Sequence, residues 1–128
     1  MMRYLTTDEI QALHYWVIAD YGGSPGLRDA KALASLVVTP QAVLFGRELY
    51  GSVHKKAAVY LRHCIADHPF IDGNKRTAVT LTGVFLLRND VWLRAAPQEL
   101  ENIAVQIATD HWDIVHIAQW LQENTEEI

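Results

Sequence analysis

Within nine residues, from His68 to Arg76, the stretch HPFIDGNKR gathers a histidine, a carboxylate, a glycine, an amide, a lysine and an arginine. Asp72-Gly73-Asn74 is a turn signal placed directly before an apolar run, so the unbonded N–H groups of the following helix's first turn face this stretch. A helix start with a glycine beside it attracts anions, because the aligned peptide dipoles carry roughly half a positive charge there and no side chain blocks approach. Lys75 and Arg76 sit in that same turn, the reverse of what the dipole prefers. Cations there cost from a few tenths to about 1 kcal/mol unless an anion lies among them. A phosphate removes the conflict. Arg76 can fork onto its oxygens and Lys75 can act as a mobile point charge, while Asp72 offers the hard oxygen that Mg²⁺ takes alongside phosphates. His68, four residues before Asp72, can accept a proton from an incoming hydroxyl, a role that contributes about 10²- to 10⁴-fold in phosphoryl-type chemistry.

Each of these residues has an ordinary reading when taken alone. A histidine at a helix end commonly caps the last carbonyls, Asp-Gly is commonly just a turn, and a lone lysine or arginine is commonly solvated surface charge. Their conjunction between two helical runs is what points to a magnesium-nucleotide site.

The flanking elements must hold that loop. Val53, Ala57, Tyr60, Leu61, Cys64 and Ile65 fall on one helical face, giving a helix that ends near Asp67. After the loop, TAVTLTGVFLLR is apolar nearly all round, too short for a bilayer and too apolar for a surface helix, so it is expected to be the buried central helix. Upstream, Thr6 followed three residues later by Glu9 forms a capping-box pattern for a helix from about Thr7 to Tyr21. YGGSPGLRD then reads as a structured loop ending at an Asp29 cap, with a short helix to about Val37. Residues 38–51 show no helical stripe and are expected to form an exposed connection or small flap. Asn89-Asp90 makes a turn, Val91 to Leu93 a short strand, and two helices follow, about Pro97 to Thr109 and about Trp112 to Glu123, before a frayed acidic tail from Glu123 to Glu127. The expectation is an all-α fold of five to seven helices around a central one.

Bulk properties narrow the function classes. Half of the 128 residues are apolar and a fifth charged, which favours a packed domain over disorder, and no linker or repeat divides the chain. A single domain over residues 1–128 is the expectation. The formal net charge of −4 argues against direct nucleic-acid binding, which needs clustered cations. The single cysteine, Cys64, falls within an apolar helical face and reads as core rather than as a reactive thiol. With no signal-peptide run and no apolar stretch long enough to span a membrane, a cytoplasmic location is expected. His14, His54, His63, His111 and His116 form no metal-ligating pattern and read as structural or surface residues.

HPFIDGNKR also resembles the signature of the Fic/Doc superfamily, and YGGSPGLRD together with the chain length is similar to its death-on-curing (Doc) branch of toxin–antitoxin systems. The resemblance covers most of residues 3 to 122. It implies an all-α fold with the motif between the two central helices. It also implies His68 as the base for a target Ser or Thr hydroxyl, Asp72 as the Mg²⁺ ligand, and Gly73, Asn74, Lys75 and Arg76 as the cradle for the phosphates of ATP. Adenylylating relatives have glycine where this chain has Lys75, and a second arginine where it has Val79. The Doc branch shares the lysine, which implies transfer of the γ-phosphate, with elongation factor Tu as the substrate and arrest of translation as the result. The alternatives are a Fic-type adenylyltransferase and a non-catalytic Fic-fold interaction module. No self-inhibitory Ser/Thr-x-x-x-Glu-Gly/Asn segment is found, so the resemblance implies restraint by a cognate antitoxin whose C-terminal segment folds as a helix into a groove of the toxin.

Overall fold

The computed structural model describes residues 1–128. Helix α1 spans Thr7–Tyr21, with the capping box formed: Glu9 N–H donates to Thr6 Oγ1, and Thr6 N–H donates to the Glu9 carboxylate. Helix α2 spans Ala30–Val38, its first turn held by Asp29, whose Oδ1 accepts from the Lys31 and Ala32 N–H groups. A short 3₁₀ turn follows at Thr39–Gln41, and then β1 (Val43–Leu44) and β2 (Arg47–Glu48) pair antiparallel as a tight hairpin. Phe45 and Gly46 both take positive φ, as a two-residue turn matched to strand twist requires. This hairpin is the flap expected from the sequence.

Helix α3 (Val53–Asp67) and helix α4 (Asn74–Arg88) form the centre of the molecule. Strand β3 (Val91–Leu93), helix α5 (Pro97–Asp110) and helix α6 (Ile114–Glu123) complete the bundle. Six helices thus account for most of the chain, within the expected all-α architecture. Helix α6 begins two residues later than expected, because Asp113 rather than an earlier residue accepts from the His116 N–H and caps it.

The acidic tail is a correction. Residues Thr125–Glu127 are not frayed but form strand β4, antiparallel to β3 in the register Val91↔Glu127, Trp92↔Glu126 and Leu93↔Thr125. The cause is partnership across sequence. Arg94 pairs with Glu126 at 3.0 Å, His54 meets Thr125 Oγ1 at 2.9 Å, and the Ile128 N–H donates to Asp90 O.

Helix α4 packs against α1, α3, α5 and β3. Tyr60 of α3 lies 4.8 Å from Phe85 of α4, ring to ring, and Leu81, Leu86, Ile65, Ile117 and Leu121 fill the surrounding core. Burial of full side chains of this size contributes about 1.5–3 kcal/mol each, so the α3–α4 contact is the stable frame on which the intervening loop hangs. Tyr60 also accepts the Leu5 N–H, and burial pushes its phenol up to about 12. Lys56 is fully buried, donating to Pro40 O at 3.0 Å and pairing with Glu48 at 3.3 Å, which ties the flap to the start of α3.

Candidate active site

The loop between α3 and α4 is only six residues long, and three separate ties fix its path. At its start His68 closes α3 in the left-handed region with φ of 47°, a conformation uncommon for a residue with a side chain. Arg28 stabilises that turn, its Nε donating to His68 O at 2.6 Å and its Nη2 to Asp67 O at 2.7 Å. These are carbonyls a helix C-terminus leaves unpaired. Next, residues 26–29 run alongside the loop: the Arg28 and Asp29 N–H groups donate to Pro69 O, Leu27 bridges Phe70, and the Ile71 N–H donates to Gly26 O.

The second tie is Asn74, the first residue of α4. Its buried side chain amide donates to Phe70 O at 2.8 Å and accepts the Phe70 N–H at 3.0 Å, closing the loop upon itself. The third comes from α1. Buried His14 stacks on Phe70 with centroids 3.8 Å apart, and its Nε2 lies 2.9 Å from Asp72 O. A carbonyl only accepts, so His14 carries its proton on Nε2. Phe70 is accordingly turned into the core, and His14 is structural in the sense of holding the loop.

Asp72 is exposed at the loop's apex. Its Oδ1 accepts the Gly73 N–H at 2.8 Å and its Oδ2 accepts the Ser24 N–H at 3.1 Å. Gly23 makes the second contact possible, because a Cβ there would stand 2.8 Å from Asp72 Oδ2. Gly73, at φ of 75°, then turns the chain into α4, which has no side-chain cap. The first bond of the helix runs from Thr77 N–H to Gly73 O, so the N–H groups of Asn74, Lys75 and Arg76 precede the hydrogen-bonded ladder.

These groups converge on a cleft of about 880 Å³. His68, Asp72, Gly73, Lys75 and Arg76 line one side of it, and Asn74 lines it as well, although its side chain is committed to Phe70 and only its backbone is free to meet a ligand. The opposite wall is α5, which presents Gln98, Glu101, Asn102 and Val105 along one stripe at helical spacing. Lys75 is exposed. Arg76 is not free in the same way: its guanidinium lies 3.8 Å from the centre of the Tyr21 ring and its Nη2 pairs with Glu101 at 2.9 Å.

The donor set suits Mg²⁺ carried in with phosphates. No group of three or more His, Cys, Asp or Glu side chains clusters as a protein-only metal cage. Asp72 offers a single hard carboxylate, held in place by two N–H donors and retaining lone pairs on both oxygens, and Mg²⁺ commonly binds through one carboxylate, phosphate oxygens and water. Cys64 takes no part; burial pushes its thiol well above the usual range and its Sγ faces Asn74 O.

All six residues singled out from the sequence therefore border one cleft. The residues that orient them, His14, Tyr21, Gly23, Arg28 and Glu101, carried no local signal beyond the glycine-rich character of the 21–29 loop.

Two comparisons bear on this geometry. The family model described as "Fic/DOC family" matches residues 4–86, a span that includes α1, α3, the loop and nearly all of α4. Among curated proteins, the chain is 33% identical over 121 residues to "Protein kinase doc" of Escherichia phage P1, an alignment that covers 94% of each chain. It is 35% identical over 100 residues to "Toxin Doc" of Mycolicibacterium smegmatis (strain ATCC 700084 / mc(2)155), covering 77% of each.

Proposed function

The chain belongs to the Fic/DOC family, and from that premise we propose that it is a Doc-type toxin of the cytoplasm that moves the γ-phosphate of ATP onto a Ser or Thr hydroxyl of a translation factor. The observation that carries this reading is the meeting, in one cleft, of an exposed imidazole, the Asp72 carboxylate, Lys75, Arg76 and the unpaired N–H groups that begin α4. Each group then has a task. The N–H groups of Asn74, Lys75 and Arg76 and the two cationic side chains hold the phosphates, neutralising charge as it builds on the transferring group. Asp72 would supply the protein oxygen for Mg²⁺, an ion that when bound would contribute positive charge against the phosphates. His68 takes the proton of the hydroxyl as its oxygen forms a bond to the γ-phosphorus, while the bond from that phosphorus to the β–γ bridging oxygen breaks and ADP leaves.

Lys75 favours phosphoryl over adenylyl transfer, since an exposed lysine at the second position of α4 occupies space beside the phosphates and adds charge to them. By the family likeness the substrate is elongation factor Tu. The likeness to Toxin Doc of Mycolicibacterium smegmatis also supports a cognate antitoxin whose C-terminal segment neutralises this chain. The test is mass spectrometry of elongation factor Tu after incubation with the chain and Mg-ATP. A phosphate on a Ser or Thr is the expected product. An added AMP would replace this reading with adenylyl transfer, and nucleotide binding with no modified protein would replace it with a non-catalytic module.

A further inference from the structure

Tyr21 is the last residue of α1, stands directly before Gly22-Gly23, and is 65% exposed, yet it turns toward the cleft rather than into the core. Its ring lies under the Arg76 guanidinium at 3.8 Å, so the contact uses the face of the ring rather than its hydroxyl. Glu101, from the far wall, meets the edge of the same guanidinium at 2.9 Å. The two contacts act differently. A stack fixes the plane of the cation while leaving its edges free for oxygen acceptors. A carboxylate at the edge also orients the cation, but it occupies N–H groups that a phosphate needs. Charge alone does not call for this stack, since Arg76 would be attracted to phosphate from any rotamer.

We propose that Tyr21 is a positioning residue for the nucleotide phosphates, holding Arg76 flat against the end of α1 so that its free N–H edge is already aimed into the cleft. The inference rests on the reading that phosphates occupy the start of α4. Arginine has a long side chain whose freedom must otherwise be lost when the ligand arrives, and ordering it beforehand raises affinity without a new ligand contact. Glu101 receives no such assignment, because orientation and competition pull in opposite directions there.

The test is calorimetric titration of Mg-ATP into the full chain and its variants. Tyr21→Ala and Tyr21→Leu should each weaken binding about two- to fivefold, the range of an exposed cation–ring contact. Tyr21→Phe, which keeps the ring face, should bind like the parent. In an Arg76→Gln background, Tyr21→Ala should cause no further loss. Thermal midpoints should stay unchanged in all of these, given the exposure of Tyr21. Wild-type affinity in both Tyr21→Ala and Tyr21→Leu, or an equal loss with Arg76 already replaced, overturns the assignment while leaving the nucleotide reading intact. If the unmodified chain itself fails to bind Mg-ATP, the nucleotide reading and this inference fall together, and the parent titration alone reveals it.

Discussion

His68 sits at φ of 47°, and this left-handed turn carries its exposed side chain to the rim of the cleft instead of back along α3. The cost of holding a non-glycine residue there is met by Arg28, which ties two carbonyls of the turn through its guanidinium. Because the imidazole has no side-chain partner in the fold, His68→Ala should lower transfer by about 10²- to 10⁴-fold while leaving the thermal midpoint and Mg-ATP affinity close to those of the parent. A quantitative transfer assay run beside a melting curve checks it; full activity in the variant removes His68 from the mechanism. The residues that border the cleft were legible because HPFIDGNKR places them in one contiguous loop, where type and spacing alone suggest a chemistry. Their supports were not. Gly23 touches Asp72 from 49 positions away and His14 from 58, and nothing in either neighbourhood tells which of five scattered histidines stacks on Phe70. Asn74 shows the converse limit: its type suggested a ligand contact, and packing commits its side chain to closing the loop.

At the scale of elements, the 22–29 segment and α4 divide the labour. Helix α4 offers the unpaired N–H groups of its first turn, to which we assign the phosphates, whereas residues 26–29 lie along Pro69–Ile71 and fix how the loop approaches it. Arg28 is the strongest of these ties, so Arg28→Met should loosen the His68 turn without disturbing the start of α4. The expected outcome is a transfer rate lowered about 10- to 100-fold, the cost of a misplacement near 1 Å, with Mg-ATP affinity little changed. Faster amide hydrogen exchange at Phe70 and Ile71 should accompany it; unchanged exchange and rate would show that the backbone pairing alone suffices. Local patterns exposed the six helices because each carries its own cap or apolar stripe, as with Thr6/Glu9, Asp29 and the α3 face. Strand β4 was hidden for the opposite reason. Thr-Glu-Glu has neither β-branched repetition nor an apolar face, and it is a strand only because β3 offers an unpaired edge and Arg94 meets Glu126.

Over the whole molecule, two of the contacts that join distant parts of the chain hold a titrating group, Glu9 or His54, below its ordinary value, and both work toward lower stability in acid. Arg88 at the end of α4 pairs with Glu9 in the first turn of α1, while beside them the Asn89 side-chain amide accepts the Arg3 N–H and donates to Arg3 O. The Arg88 hydrogen bond, helped by the Thr6 N–H, holds the Glu9 carboxyl down at about 2. A depressed carboxyl contributes stability above its unfolded value, near 4.3, and loses that contribution as pH falls toward 2. Burial likewise holds His54 below the ordinary histidine value, so its neutral form, paired with Thr125, contributes above about 6.5 and is lost on further acidification. The His54 loss therefore begins first, at the β4 end, and the Glu9 loss follows at the α1 end. Glu9→Gln separates the two. Since the Glu9 side chain is 36% exposed and water screens the pair, its removal should cost about 1 kcal/mol above pH 5, well short of what the full displacement implies. Melting curves of parent and variant should differ by that amount at neutral pH, converge as pH falls through the carboxylate window toward 2, and keep a shared decline below 6.5 that belongs to His54. A constant offset from pH 7 to pH 2 would show that the Glu9–Arg88 contact does not carry the acid sensitivity of the α1–α4 junction.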